Sequence, residues 1–237
     1  MTSQLHALCI DAHDPHRLAR FWAELLNWEP TDDGTVLTPT DDTGFLIRCL
    51  PTQETKYDEN TMHFDLTSTS DEHQRETVAR ALELGARHLD IGQGPDATHT
   101  VLADPEGNEF CVLEAGNKFL AECGFVGALA SDGSQAVGYF WSKALGWPLV
   151  WDQDEETAIR SPHGGPKITW GGPPLMSRNG RIRLHYDLAP PADGDQQAEI
   201  ERLIGLGATR LDSRPHETGG VVLADPDGNE FCVLTPR

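Results

Sequence analysis

Two short segments of this chain place a histidine and an aspartate two residues apart: His63-Phe64-Asp65 and His185-Tyr186-Asp187. Around them the apolar residues Met62, Phe64 and Leu66, and likewise Leu184, Tyr186 and Leu188, alternate with the polar ones, as in a strand with one buried face. Residues two apart in a strand point the same way, with Cα atoms roughly 7 Å apart. Asp65 can therefore orient the His63 imidazole, and Asp187 that of His185. A carboxylate so placed raises the imidazole pKa and makes a general base for a proton next to a carbonyl. Arg183 shares the parity of His185 and Asp187 and offers a clamp for a carboxylate or enolate oxygen. A hydrogen-bonded His-Asp pair that only fills the floor of a sheet is the alternative for the same residues.

The elements that must carry these pairs repeat along the chain. Val101 to Leu113, VLADPEGNEFCVL, returns as Val222 to Leu234, VLADPDGNEFCVL, 121 residues later, with twelve of thirteen positions identical. Each copy reads as strand, tight turn and strand, because Pro presets φ and Gly admits the conformation that other residues resist. Phe21-Trp22 precedes Phe140-Trp141 by 119 residues, and Met62 to Leu66 precedes Leu184 to Leu188 by 122. A period this long means a tandem duplication of a whole domain, not a solenoid. The expected organisation is a first domain over 1–115, a linker over 116–124 and a second domain over 125–237.

Within the first domain the apolar run Leu5 to Ile10 predicts a buried strand, and Asp14-Pro15 predicts a helix start, with Leu18, Phe21, Trp22, Leu25 and Leu26 on one face. Short strands follow near Thr35-Leu37 and Phe45-Leu50. After the polar stretch Pro51 to Asn60 the order recurs: the His63 strand, a helix capped by Asp71 and closed at Gly85, and strands near Arg87-Ile91, His99-Leu102 and Phe110-Leu113. Each domain is thus two β-α-β-β-β modules. The second copies the plan, with helices near Gln135-Leu145 and Asp195-Leu206 and a strand from Arg181 to Leu188.

Composition narrows the partners. Lys+Arg 18 against Asp+Glu 38 gives a formal net charge of -20, which repels phosphate backbones and anionic membranes, so neither nucleic acid nor a membrane is an expected partner. Five cysteines without a CxxC pair, and no signal-like or membrane-length apolar stretch, lead to the expectation of a reduced, soluble, cytoplasmic protein. Solubility accounts for the acidic surface.

The paired β-α-β-β-β modules, the Phe-Trp helix and the ending D-P-x-G-N-x-F resemble the vicinal oxygen chelate superfamily, which includes glyoxalase I, bleomycin-resistance proteins and extradiol dioxygenases. The ending Asp-Pro-Glu/Asp-Gly-Asn-Glu-Phe-Cys-Val-Leu is particularly similar to glyoxalase-like domains of actinobacterial type. The resemblance covers essentially the whole chain, twice, and implies an α+β fold whose paired modules curl into cup-like mixed sheets. This fold hosts lyases, isomerases, oxygenases and metal-free binding proteins alike.

In metal-using relatives, ligands come from a His on the first strand, a His opening the second module and a Glu four residues after the turn glycine. Carried over to this sequence, the first domain offers His6, His63 and Cys111 as a metal set, and the second offers Phe125, His185 and Cys232. Cysteine in place of Glu shifts the implied metal toward zinc. Small buried residues packing under the cup explain both cysteines without a metal. Strands expected to line the cups carry Arg48, Trp151 and Trp170, and Glu109 and Glu230 share the parity of Cys111 and Cys232. These are the candidate ligand-binding residues. The resemblance implies a small oxygenated metabolite bound in a cup, with lyase or isomerase chemistry, or else a sequestering protein of bleomycin-resistance type. Glyoxalase I activity itself is not expected, because neither half keeps the full ligand set. A fused tandem can pair its domains within one chain, giving a monomer with internal pseudo-two-fold symmetry; a homodimer of tandems is the alternative.

Overall fold

A computed structural model describes residues 2–94, 96–176, 182–211 and 219–236. The proposed strand start at Arg181, and His216, lie outside these residues. Four β-α-β-β-β modules follow one another. The first holds β1 (Gln4–Ala12), α1 (Pro15–Leu26), β2 (Glu29–Pro30), β3 (Val36–Thr38) and β4 (Leu46–Pro51). The second holds β5 (Met62–Ser68), α2 (Asp71–Glu83), β6 (Arg87–His88), β7 (Thr100–Ala103) and β8 (Glu109–Ala115). The third holds β9 (Val126–Ser131), α3 (Gln135–Leu145), β10 (Leu149–Gln153), β11 (Glu156–Arg160) and β12 (Lys167–Trp170). The fourth holds β13 (Leu184–Ala189), α4 (Gln196–Leu206), β14 (Thr209–Arg210), β15 (Val221–Ala224) and β16 (Glu230–Val233).

The modules pair across the two halves of the chain. One eight-stranded sheet, sheet A, runs β14-β15-β16-β13-β1-β4-β3-β2, and the other, sheet B, runs β10-β11-β12-β9-β5-β8-β7-β6. Each therefore takes one module from each half. The central contacts are antiparallel, β1 with β13 and β5 with β9, and both joints carry the same irregularity, a register shift between Leu5 and Ala7 in one and between Asp65 and Leu66 in the other. Leu188 pairs with Leu5 and Asp187 with Ala7, just as Leu66 pairs with Val126 and Asp65 with Ala128. The two sheets are thus pseudo-symmetric copies in which residue 7 matches 128 and residue 9 matches 130.

Local chemistry sets the elements. Asp14 accepts from the Arg17 amide at the start of α1, and Leu18, Phe21, Trp22, Leu25 and Leu26 are all buried on its inner face. At α2 the cap is Ser70, accepting from His73 N, one residue before the Asp71 expected; Asp71 instead lies in the first turn, where its charge suits the helix dipole. Trp22 packs against Phe64 at 4.7 Å and Phe110 at 5.1 Å between ring centres, and Trp141 repeats this with Tyr186 at 5.2 Å and Phe231 at 5.0 Å. The helix of one module thereby fills the back of the sheet that carries its neighbour, leaving the opposite sheet faces for the polar residues. In both D-P-x-G-N turns the glycine, Gly107 or Gly228, has a φ near +86 ° (+87 and +85), which an L side chain resists.

Candidate functional site

In sheet B, β5 aims His63 and Asp65 to the same face, and β8 brings Cys111 opposite Asp65. His63 Nε2 lies 3.4 Å from Asp65 Oδ1, and one ligand atom from each of His63, Asp65 and Cys111 falls within 4.8 Å of the others. The His63 side chain is 32% exposed and that of Asp65 17%. Loss of water around the ring opposes its charged form, but hydrogen bonds to Asp65 and Cys111 outweigh this and raise His63 to about 10. The direction of this shift favours the protonated ring, which can donate to Asp65.

Sheet A holds the counterpart with a different outcome. Cys9, His185 and Asp187 also bring ligand atoms within 4.8 Å of one another. Here Arg48 stands beside Cys9 on β4 and its Nη1 lies 2.6 Å from Asp187 Oδ2. Asp187 is fully buried and His185 is 4.0 Å from its Oδ1. Burial, then the Asp187 charge, pushes the Cys9 thiol well up, and burial does the same to Cys232. Arg48 is kept charged by Cys9 and Asp187 against the cost of losing water. In sheet B the residue matching Arg48 is Thr169, paired with Ala130, which matches Cys9. Two pairs along the strand, Lys167 turns its ammonium to the Phe119 carbonyl and stands 4.0 Å over the Phe119 ring.

A cavity of about 710 Å³ opens at the β6–β8 end of sheet B, with Arg87, Leu89, Glu109 and Met176 among its walls and Lys56 and Tyr57 over it. Glu109, two residues before Cys111, is clamped by the Lys56 ammonium at 2.5 Å and by the Asn60 amide at 3.1 Å. The loop between β4 and β5 is thus tied down beside the His63 group.

The other expected site residues fall in different places. His6 does not join His63 and Cys111: it lies on β1 in sheet A, while they lie in sheet B. The register shift between Leu5 and Ala7 puts His6 in a bulge, and its match in the other half is Gly127 instead of Phe125. Arg183 directly precedes β13, its carbonyl still accepting from the Asp11 amide at 2.9 Å. Its buried guanidinium donates to the Glu54 carbonyl at 2.9 Å and meets Glu106 at 3.6 Å, so it ties loops together instead of joining His185 and Asp187. Trp170 is 2% exposed and belongs to the core, because β12 turns Ile168 and Trp170 inward and Lys167 and Thr169 outward. Trp151 does share the cross-strand row of Ala158, Thr169, Ala130 and His63, with its ring edge-on to Phe119 at 5.6 Å. Glu230 opens β16, partly buried. Cys9 went unnoticed in the sequence, although its alternation with Leu8 and Ile10 marks it as facing the cup.

Two sheets built from four β-α-β-β-β modules, each with a His-x-Asp strand facing a cysteine, define a glyoxalase-type scaffold. The glyoxalase-like domain family matches residues 7–113 and again 128–234, and the chain belongs to that family. Glyoxalase I from Zea mays shares the fold at 14% identity, covering 99% of this chain and 92% of that one, with a TM-score of 0.63. A Bacillus subtilis protein described as a dioxygenase shares it at 13% identity, covering 99% and 85%, with a TM-score of 0.60. No curated protein matches the sequence. Among the described residues no helix is long and apolar enough to cross a membrane.

Proposed function

We propose that the chain binds a small oxygenated metabolite in the cup of sheet B and transforms it by lyase- or isomerase-type proton transfer centred on His63. The observation that carries this reading is the part-exposed His63–Asp65 contact of 3.4 Å; the cavity of about 710 Å³ reaches the strand of Cys111 through Glu109, two residues away. The imidazolium donates to a carbonyl oxygen and stabilises the negative charge that grows there as an adjacent proton leaves. Asp65 holds the ring and stands next to it as the acceptor. Lys56, Tyr57 and Glu109 shape the side of the cup from which the ligand enters, and Trp151 supplies an aromatic wall further along the sheet.

The donor chemistry of His63, Asp65 and Cys111 also fits a divalent metal, zinc above all, since it offers one nitrogen, one oxygen and one sulfur within 4.8 Å. Bound there, the ion would polarise the ligand's carbonyl as a Lewis acid. It would take the place of the His63 proton, so proton and metal compete for one site. A sequestering role of bleomycin-resistance type is the second reading, favoured by the cavity and aromatic wall alone.

Hydroxyacetone in D2O tests the chemistry. Proton NMR should show its CH2 signal exchanging faster with the protein than without it, and His63→Gln should abolish the gain. Saturation transfer to a bound small ketone with no exchange in any sample would remove the chemical reading and leave sequestration.

A further inference from the structure

We infer that Arg48 is the resident cation of the sheet A cup: its guanidinium occupies the place a divalent metal would take among Cys9, His185 and Asp187, and so restricts metal binding to sheet B. This rests on the reading of His63, Asp65 and Cys111 as a metal-competent group.

The two cups carry almost the same donors. His185, Asp187 and Cys232 on β13 and β16 match His63, Asp65 and Cys111 on β5 and β8, and each aspartate faces its cysteine across a parallel pair. Cys9 even adds a second sulfur to sheet A, where sheet B has Ala130. Each cup gathers three donors within 4.8 Å, Cys9 completing the sheet A group as Cys111 completes that of sheet B. The difference lies one strand further out, where Arg48 replaces what is Thr169 in the other copy.

A guanidinium 2.6 Å from Asp187 Oδ2 neutralises the carboxylate a metal would need and leaves it only Oδ1, the oxygen 4.0 Å from His185. A metal bonded to that oxygen at about 2 Å would sit within a few ångströms of a fixed positive charge, in a setting too dry to screen it. Asp187 is fully buried and His185 only 13% exposed, against 17% and 32% for their matches in sheet B. The sheet A group is therefore closed by burial and neutralised by its own side chain. In sheet B the Thr169 position carries no charge, and the nearby Lys167 ammonium is held by Phe119. A duplicated donor set has been kept as structure in one cup and left open in the other.

The test measures zinc bound per chain, by equilibrium dialysis against zinc chloride and plasma mass spectrometry. Wild type is expected to take one equivalent, lost in His63→Ala. Arg48→Thr should take two, and the second should vanish in Arg48→Thr/Asp187→Asn. The reciprocal change Thr169→Arg should empty sheet B. If Arg48→Thr fails to fold, Arg48→Gln keeps a donor to Asp187 and should gain the same second equivalent. A folded Arg48→Thr or Arg48→Gln that takes no more zinc than wild type overturns the inference, as does a wild type that already binds two with one lost in Asp187→Asn. A wild type that binds none, with an Asp187-dependent equivalent in Arg48→Thr, sinks the sheet B metal reading and leaves the role of Arg48 standing.

Discussion

The indole N–H of Trp22 donates to Asp104 across 3.2 Å, and in doing so joins a helix packed on sheet A to the turn that leads into β8 of sheet B. Asp104 has no exposure and also accepts from the Asn108 backbone and side chain. Burial dominates its titration and raises it to about 6 despite these donors. Trp141 and Asp225 repeat the bond at 3.1 Å. Trp22→Phe should cost about 1–3 kcal/mol by leaving a buried carboxylate oxygen short of a donor, and Trp141→Phe should cost a similar amount. Urea unfolding of both variants measures it, and a neutral result at either position would show that the bond is dispensable there.

The two aspartates of the cups should respond unequally to loss of charge. Asp187→Asn leaves Arg48 largely buried without its counter-ion and should destabilise by roughly 3–5 kcal/mol. Asp65 is part-exposed with a His partner, and Asp65→Asn should cost less than Asp187→Asn. Thermal melts of the two single variants give the comparison; equal losses would mean that the cups are electrostatically alike.

His63 gives a pH signature. Its folded pKa, about 10, lies above the ordinary 6.5, so the folded state binds the proton more tightly than the unfolded one. The stability this contributes is fully present below about 6.5 and is lost as the pH climbs toward 10. His63→Gln should flatten that part of the stability curve. Urea midpoints followed across this range, with the variant alongside, check the sign; a wild-type curve parallel to the variant's would rule out the raised value.

The Lys56–Glu109 clamp should govern access to the cavity. In Glu109→Gln the loop loses its charged anchor, at a cost of about 1–3 kcal/mol for a largely buried pair. Trypsin should then cut after Lys56 several-fold faster than in wild type. Unchanged cleavage, read by mass spectrometry, would mean that the Asn60 contact alone holds the loop.

Close packing of α3 on β11 depends on Gly138. A Cβ there would stand 2.0 Å from the Thr157 hydroxyl and 2.6 Å from its Cβ. Gly138→Ala should cost on the order of 1–3 kcal/mol by overpacking, although alanine is the better helix former. Gly138→Ala/Thr157→Ala should recover part of the loss, and a single variant as stable as wild type would contradict the close approach.

Much of this was legible in the sequence, because its signals are local. Alternation around His63 and His185 gives strands with the right faces, Asp14 and Pro15 give a helix start, and the repeated turn gives the duplication. Which module pairs with which is a long-range choice that periodicity does not carry, so a cup assembled within one half was the natural expectation. His6 was misplaced for the same reason: β1 belongs to sheet A, while β5 and β8 belong to sheet B. Arg183 is drawn to Glu54 and Glu106, partners on loops far away in the sequence. Arg48 was marked as a ligand residue by its strand, but its partner Asp187 is 139 positions away and becomes visible only when β1 joins β4 to β13.

The crosswise pairing of modules also bears on how the chain can be divided. A cut in the 116–124 segment would separate two fragments that each own half of every sheet, with β1 and β5 stripped of their antiparallel neighbours β13 and β9. Each fragment would present long unpaired edges, and the two would need each other, or a second copy of themselves, to close both cups. Duplication has here produced two halves that complete each other's sheets.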